Sequence, residues 1–281
     1  MKNRFVKLIL TLSIPLMTLW IAGCQNEEVG PAAADVQEAE SDVAIESSYS
    51  EVEELSFSGI FATSQLGGRI EQDPRLACAT VGMVENPTGV FTVTIDFGTG
   101  CEGPDGRIRK GIIKVTHDGQ IWAFGSQITV ELTGFSINDV LIEGTRVVTN
   151  KTTGTSPGIV HEITMTGGKV TWLDGTFATR NVTRVRTWIR DSVSPLNDEV
   201  WIGGSANGTN RNGVSYSMQI TNNLVFKASC IAGKIFIPVS GTKEIITDKV
   251  TVLVDFGDGT CDRLATVTVN GRSKEVTINQ I

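Results

Sequence analysis

Histidine is nearly missing from this chain: His117 and His161 are the two it has. No cysteine pair stands in CxxC spacing and no HExxH occurs, so the common ligand sets for zinc and for metalloprotease chemistry are lacking. There is no basic excess either. The net charge is −7, which leaves nucleic acid without the electrostatic footprint it needs. After the N-terminal run the sequence carries no capped amphipathic helix pattern. Three motifs occur without their context. Gly98-Thr99-Gly100-Cys101-Glu102-Gly103 fits GxGxxG but runs into Pro104-Asp105-Gly106 rather than into a helix that could meet a pyrophosphate. Gly154-Thr155-Ser156-Pro157-Gly158 fits GxSxG, but Pro157 lacks the amide an oxyanion hole would use. Asp96-Phe97-Gly98 and Asp255-Phe256-Gly257 spell DFG without any other kinase signature. No cofactor, no catalytic residue and no enzyme activity are expected from these patterns.

What is present begins with an address. Lys2, Arg4 and Lys7 precede an apolar run from Leu8 to Ile21, shorter than the roughly 20 residues a spanning helix needs. The run ends in Ile21-Ala22-Gly23-Cys24, which resembles the bacterial lipobox. That resemblance implies a signal peptide over residues 1–23 and acyl chains on Cys24, which hold the mature protein on a membrane. Residues 25–54 contain ten Asp or Glu and no Lys or Arg, and the composition predicts a flexible acidic tether over 24–54. Cleavage after residue 23 leaves 21 basic against 31 acidic residues, a net charge of −10, all of it in the tether. Gln25-Asn26-Glu27-Glu28 is similar to the acidic export signal of surface-displayed lipoproteins of the Bacteroidota type; a plain solvated spacer is the equal alternative. The expected place is the outer membrane, lipid-anchored, periplasmic or surface-exposed.

From Leu55 to Ile281 the pattern has period two, as in Phe91–Phe97, Ile128–Leu132, Val214–Ile220 and Val250–Phe256. Asp118-Gly119, Gly167-Gly168, Asp174-Gly175, Asn207-Gly208, Asn212-Gly213 and Asn270-Gly271 supply turn signals between the runs. The fold class predicted is all-β: an antiparallel meander forming a sandwich or a strongly curved sheet. With Cys24 lipidated, four cysteines allow three pairings. They cluster as Cys78 with Cys101 and Cys230 with Cys261, each second cysteine following a strand that ends in Asp-Phe-Gly. This predicts two similar disulfide-bearing modules, about 78–117 and 230–278, flanking a central meander.

Taken together, the lipobox, the acidic run and the repeated Asp-Phe-Gly-to-Cys endings resemble the uncharacterised β-rich lipoproteins of Bacteroidota, a group that implies no activity. Val254–Thr260 looks like the turn of PKD-type β-sandwich modules. Asp255, Asp258 and Asp262 there are weak calcium candidates, and Asx-turns are the favoured reading. Asp191-Ser192-Val193 resembles the short O-glycosylation site of exported Bacteroidota proteins, which would modify Ser192. Arg180, Arg184, Arg186 and Arg190 share parity with Trp188, which predicts a stripe of roughly 30 Å along one face. Its possible partner is an acidic polysaccharide or an envelope protein, with Trp201 beside Trp188. The favoured reading is neutralisation of the row by Glu162, Asp198 and Glu199 on neighbouring strands. The function predicted is a lipid-anchored envelope or surface protein with a binding or structural role. The alternative is a carboxylate-dependent enzyme acting on glycans or cell-wall polymers.

Overall fold

The computed structural model describes residues 33–63 and 73–278. The expected signal peptide over 1–23, the expected lipidation site Cys24 and residues 25–32 lie outside the described residues. The body is one antiparallel sheet of 14 strands, as the period-two pattern predicts, and not a two-sheet sandwich. The strands are β1 (Thr80–Glu85), β2 (Phe91–Asp96), β3 (Cys101–Glu102), β4 (Ile108–His117), β5 (Gln127–Ile137), β6 (Val140–Asn150) and β7 (Ile159–Thr171). Then come β8 (Phe177–Ile189), β9 (Glu199–Thr209), β10 (Ser215–Lys227), β11 (Ser240–Thr247), β12 (Thr251–Asp258), β13 (Leu264–Val269) and β14 (Arg272–Thr277). Each pairs with the next in sequence, except that β3 is a short flap on β4 while β2 pairs β4 directly.

The curvature comes from irregularities placed strand after strand. Register shifts fall at Gly111 in β4, Gly144 in β6, Gly167 in β7 and Gly241 in β11. Such bulges bend a strand and increase its twist. Gly144 shows why glycine is required: its φ is +128°, and an added Cβ would stand 2.8 Å from the Gly168 Cα on β7. Two of the expected turns are therefore strand interior. Gly167-Gly168 forms a bulge in β7, and Asn207-Gly208 lies inside β9, where the backbone approaches Thr179 too closely for a side chain. Asp174-Gly175, Asn212-Gly213 and Asn270-Gly271 do make hairpin turns.

The largest correction concerns the acidic segment. Residues 33–54 are not a tether: Ala33–Thr63 is a continuous helix, α1, packed inside the concavity of the sheet. Ala39, Val43, Ile45, Tyr49, Val52, Leu55 and Ile60 are buried, and so are Asp42, Glu46, Glu51 and Glu53. The helix touches β1, β2, β4 and β5 near one edge of the sheet and β12 and β13 near the other, so the sheet curls around it. The concave face supplies the rest of the core, with Val93, Ile95, Ile113, Val115, Ile163, Met165, Val252 and Val254 among its residues. Low hydrophobicity predicts disorder only where charges stay solvated. Here they are paired. No helix among the described residues is long and apolar enough to cross a membrane.

Both disulfides form as paired from the sequence, Cys78–Cys101 and Cys230–Cys261. Cys78 precedes β1, while Cys230 sits in the short helix α2 (Ala228–Ala232). From there the element order matches: strand, strand ending in Asp-Phe-Gly, cysteine, strand. The endings match in detail. Gly98 N donates to Asp96 Oδ1 at 2.8 Å and Gly257 N to Asp255 Oδ1 at 2.9 Å, while Phe97 and Phe256 are buried. Replacing Cys78 and Cys101 together by alanine is expected to lower stability by about 3 kcal/mol through the freed unfolded loop. Urea unfolding checks this; a loss below about 1 kcal/mol would mean that other contacts already fix the loop.

Candidate functional site

The site is built by α1. At about 100° per residue, Asp42, Glu46 and Glu53 fall on one stripe of the helix and Glu51 on the opposite side. The stripe faces β6, β8 and β11. Asp42 accepts from Arg180 and Lys243, Glu46 from Arg184 and, at 3.2 Å, from Arg180, and Glu53 from Arg146 and Arg186. On the far side Glu51 accepts from Arg107 and, at 2.7 Å, from Arg109 Nε. Arg109, Arg180 and Lys243 are each 2% exposed or less. Burial pushes the Asp42, Glu46 and Glu53 carboxyls up, but the cations beside them outweigh it and hold all three below the usual carboxylate range. Burial pulls the Lys243 ammonium down.

The arginine row of β8 is therefore real in parity and wrong in surroundings. Arg180 and Arg184 are buried with Val182 on the concave face, and Arg186 is half-buried. Their counter-charges come from α1 and not from the three carboxylates expected. Glu162 pairs with Lys151 at 3.7 Å, Asp198 accepts from the Trp188 indole at 2.9 Å, and Glu199 accepts from the Trp201 indole at 2.8 Å. Arg190 lies beyond the end of β8, exposed, with its guanidinium over the Trp188 ring at 5.5 Å. Trp201 stands opposite Thr187 in the register, so it points to the other face from Trp188. No solvent-facing stripe for a polysaccharide results.

The calcium candidates do not converge. Asp255, Asp258 and Asp262 accept from the Gly257, Thr260 and Leu264 backbone amides respectively, each closing its own Asx-turn. Among the described residues no metal-holding group of His, Cys, Asp and Glu exists. Ser192 is exposed in the loop after β8.

Beside this ion-pair network lies a cavity of about 320 Å³ between α1, β8 to β10 and α2. Its floor is Ile163, Val200, Ile202, Phe226, Ile231 and Phe236. Arg107, Arg146, Arg184 and Arg186 line it, together with Ser47, Ser50 and Glu54 from α1. Asp73 and Arg75 also line it. Arg75 binds both carboxyls next to it, with Nη1 to Glu54 and Nη2 to Asp73 at 3.0 and 2.8 Å. Burial pushes Glu54 up, while the bonds from Arg75 pull Asp73 down against its own burial. The sequence pattern does not reveal this cavity because six of the residues that line it come from the segment taken for a tether. Chemically it offers an apolar bed beside buried guanidinium groups. The chain matches no family model, curated protein or solved structure.

Proposed function

We propose that this is a lipid-anchored cell-envelope protein, of the Bacteroidota lipoprotein type, that binds a small ligand in the cavity under α1 and does not turn it over. The cavity carries the reading. It has the size that small-molecule sites share, and an apolar floor set beside a wall of guanidinium and carboxylate groups. The lipobox at Cys24 supports the anchor.

Two experiments test it. Native mass spectrometry of the protein, taken from its own membranes in detergent-free nanodiscs, is expected to show a bound small molecule. That molecule should be absent from a folded Ile231→Trp variant, in which the indole fills the floor. No difference in bound mass overturns the binding reading. Separately, Cys24→Ser is expected to move the protein to the soluble fraction or to leave an uncut precursor. An unchanged membrane fraction and mature mass would remove the anchor.

A carboxylate-dependent hydrolase is the second reading, on one observation: Glu54 and Asp73 share Arg75 at the cavity with their acidities pushed in opposite directions. Acid and base roles divide in that way. Turnover of any of a panel of glycans that is lost in Glu54→Gln would favour it; inertness across the panel favours binding alone.

A further inference from the structure

We propose that the rim of the sheet nearest the anchor rests on the bilayer, with Leu173 set among the lipid chains; this rests on the lipid anchor at Cys24 in the reading above. Reach decides which rim that is. Nine residue steps separate Cys24 from Ala33, where α1 begins, and they span at most about 32 Å. Eight more steps, about 12 Å of helix, lead to Ser41. Ser41, Asp42 and Ile45 share a small cleft with Asn210 and Arg211 of the β9–β10 turn. At the other end of α1, Phe61 stacks on Trp122 in the β4–β5 loop. The helix therefore runs from the anchored rim to the opposite one.

Alternate turns of a meander share a rim, so the β5–β6, β7–β8, β9–β10 and β13–β14 turns lie together at the anchored one. Three of them have polar tips, Asn138-Asp139, Asn212-Gly213 and Asn270-Gly271, as surface turns usually do. The β7–β8 turn differs. Leu173 at its tip is 77% exposed, and Phe177 at the start of β8 is 48% exposed. The tip is also fixed in place. Arg211 donates from Nε to Thr176 Oγ1 at 2.6 Å and from Nη2 to Asp174 at 2.5 Å, with its guanidinium 4.5 Å from the Trp172 ring centre. The same arginine borders the cleft with α1, so the apolar tip and the anchored helix are held together. A lone exposed leucine needs no explanation in itself. This one stands on a rigid turn beside the anchored end of α1, and tethering lets a contact persist that is too weak to hold a free protein. The charges beside it are matched within the rim, Arg211 by Asp174 and Lys169 by Glu143 at 3.5 Å. Lys169 also stands 5.0 Å from the Phe177 ring centre, a cation and an aromatic ring of the kind that sit at headgroup level. With these charges paired, the contact is apolar and neutral lipid suffices.

The test uses the mature lipidated protein floated with phosphatidylcholine vesicles, with and without a doxyl quencher on the acyl chains. An environment-sensitive fluorophore is attached at Leu173→Cys or, on the opposite rim, at Val193→Cys, a position 87% exposed. Disulfide mapping checks that both bridges are kept. Quenching at position 173 is expected to be at least about threefold stronger than at 193, and to hold from about 0.1 to 1 M salt. A second measurement needs no label. Lipid quenching of tryptophan fluorescence in the wild type is expected to fall at least about twofold in Leu173→Asp, because Trp172 adjoins Leu173. Equal quenching at 173 and 193, stronger quenching at 193, or tryptophan quenching unchanged in Leu173→Asp overturns the docking. Quenching lost in high salt overturns the apolar contact. Protein that floats with no quenching at 173 overturns the bilayer as occupant, leaving a protein partner for that tip, while the anchor stands. Protein that does not float removes the anchor and the docking with it.

Discussion

Replacing Asp42 by alanine is expected to cost about 3–5 kcal/mol, the largest effect of any single change proposed for this protein. Asp42 is 5% exposed and stands between Arg180 and Lys243, each 2% exposed. Removing the carboxylate leaves two buried cations with Glu46 as the one acidic neighbour, on Arg180. An uncompensated buried charge is far more costly than a buried pair is favourable, because neither water nor a partner solvates it. The same reasoning predicts partial recovery on changing Lys243→Met in the Asp42→Ala background. Lys243 then carries no charge, and an apolar side chain of similar length takes its place. Denaturant unfolding of the three proteins checks both statements. A loss under about 1 kcal/mol for Asp42→Ala would show that α1 adds little to the folded state.

Acidification should destabilise the protein in two stages. The first belongs to His161, which is 5% exposed, stacked on Phe57 at 5.9 Å, and held at about 4 by burial first and by the Arg186 charge second. In the unfolded chain it takes a proton near its ordinary 6.5. Between these values the unfolded state binds more protons, so stability falls as pH drops from 6.5 toward 4, by about 3 kcal/mol in all. The second stage belongs to Asp42, Glu46 and Glu53 of α1. Their folded values lie below the unfolded ones, with Glu53 at about 2, so their contribution is complete above the unfolded value of 4.5 and is lost as pH falls toward 2. His161→Gln is expected to shrink the first stage, leaving the part that His117, also lowered by burial, contributes, and to leave the second stage unchanged. A stability profile level from pH 7 to pH 4.5 in the wild type would contradict the assignment to His161.

The sheet was legible because its signals are local. Alternation places side chains on two faces, Asp174-Gly175 and Asn212-Gly213 mark hairpins, and Asp-Phe-Gly followed by cysteine marks two like turns. The helix was not legible, because what stabilises it is distant. Asp42 and Glu46 find their guanidinium partners 138 residues away, and nothing near them in sequence offsets their charge. A segment with that composition reads as solvated. One clue pointed the other way. Arg180, Arg184 and Arg186 on one face of a charge-balanced body call for acidic partners, and the one strongly acidic run in the chain has Asp42, Glu46 and Glu53 at the spacing of a helix stripe. The cavity needed both elements in place before it could be seen, so its lining residues carry no sequence pattern of their own.

The clasp of the sheet around α1 also sets an order in time. Synthesis delivers the helix segment first and its partners last: Lys243 lies 201 residues beyond Asp42. Until then the segment carries carboxylates at spacings such as Asp42 and Glu46 that repel one another on a helix. It therefore has little reason to coil before β8 and β11 exist to receive it. Contacts of such long sequence separation make folding slow. The helix segment, made before the sheet that receives it, is accordingly among the last to settle, and the arginine-lined concavity stays uncovered for the whole of that interval.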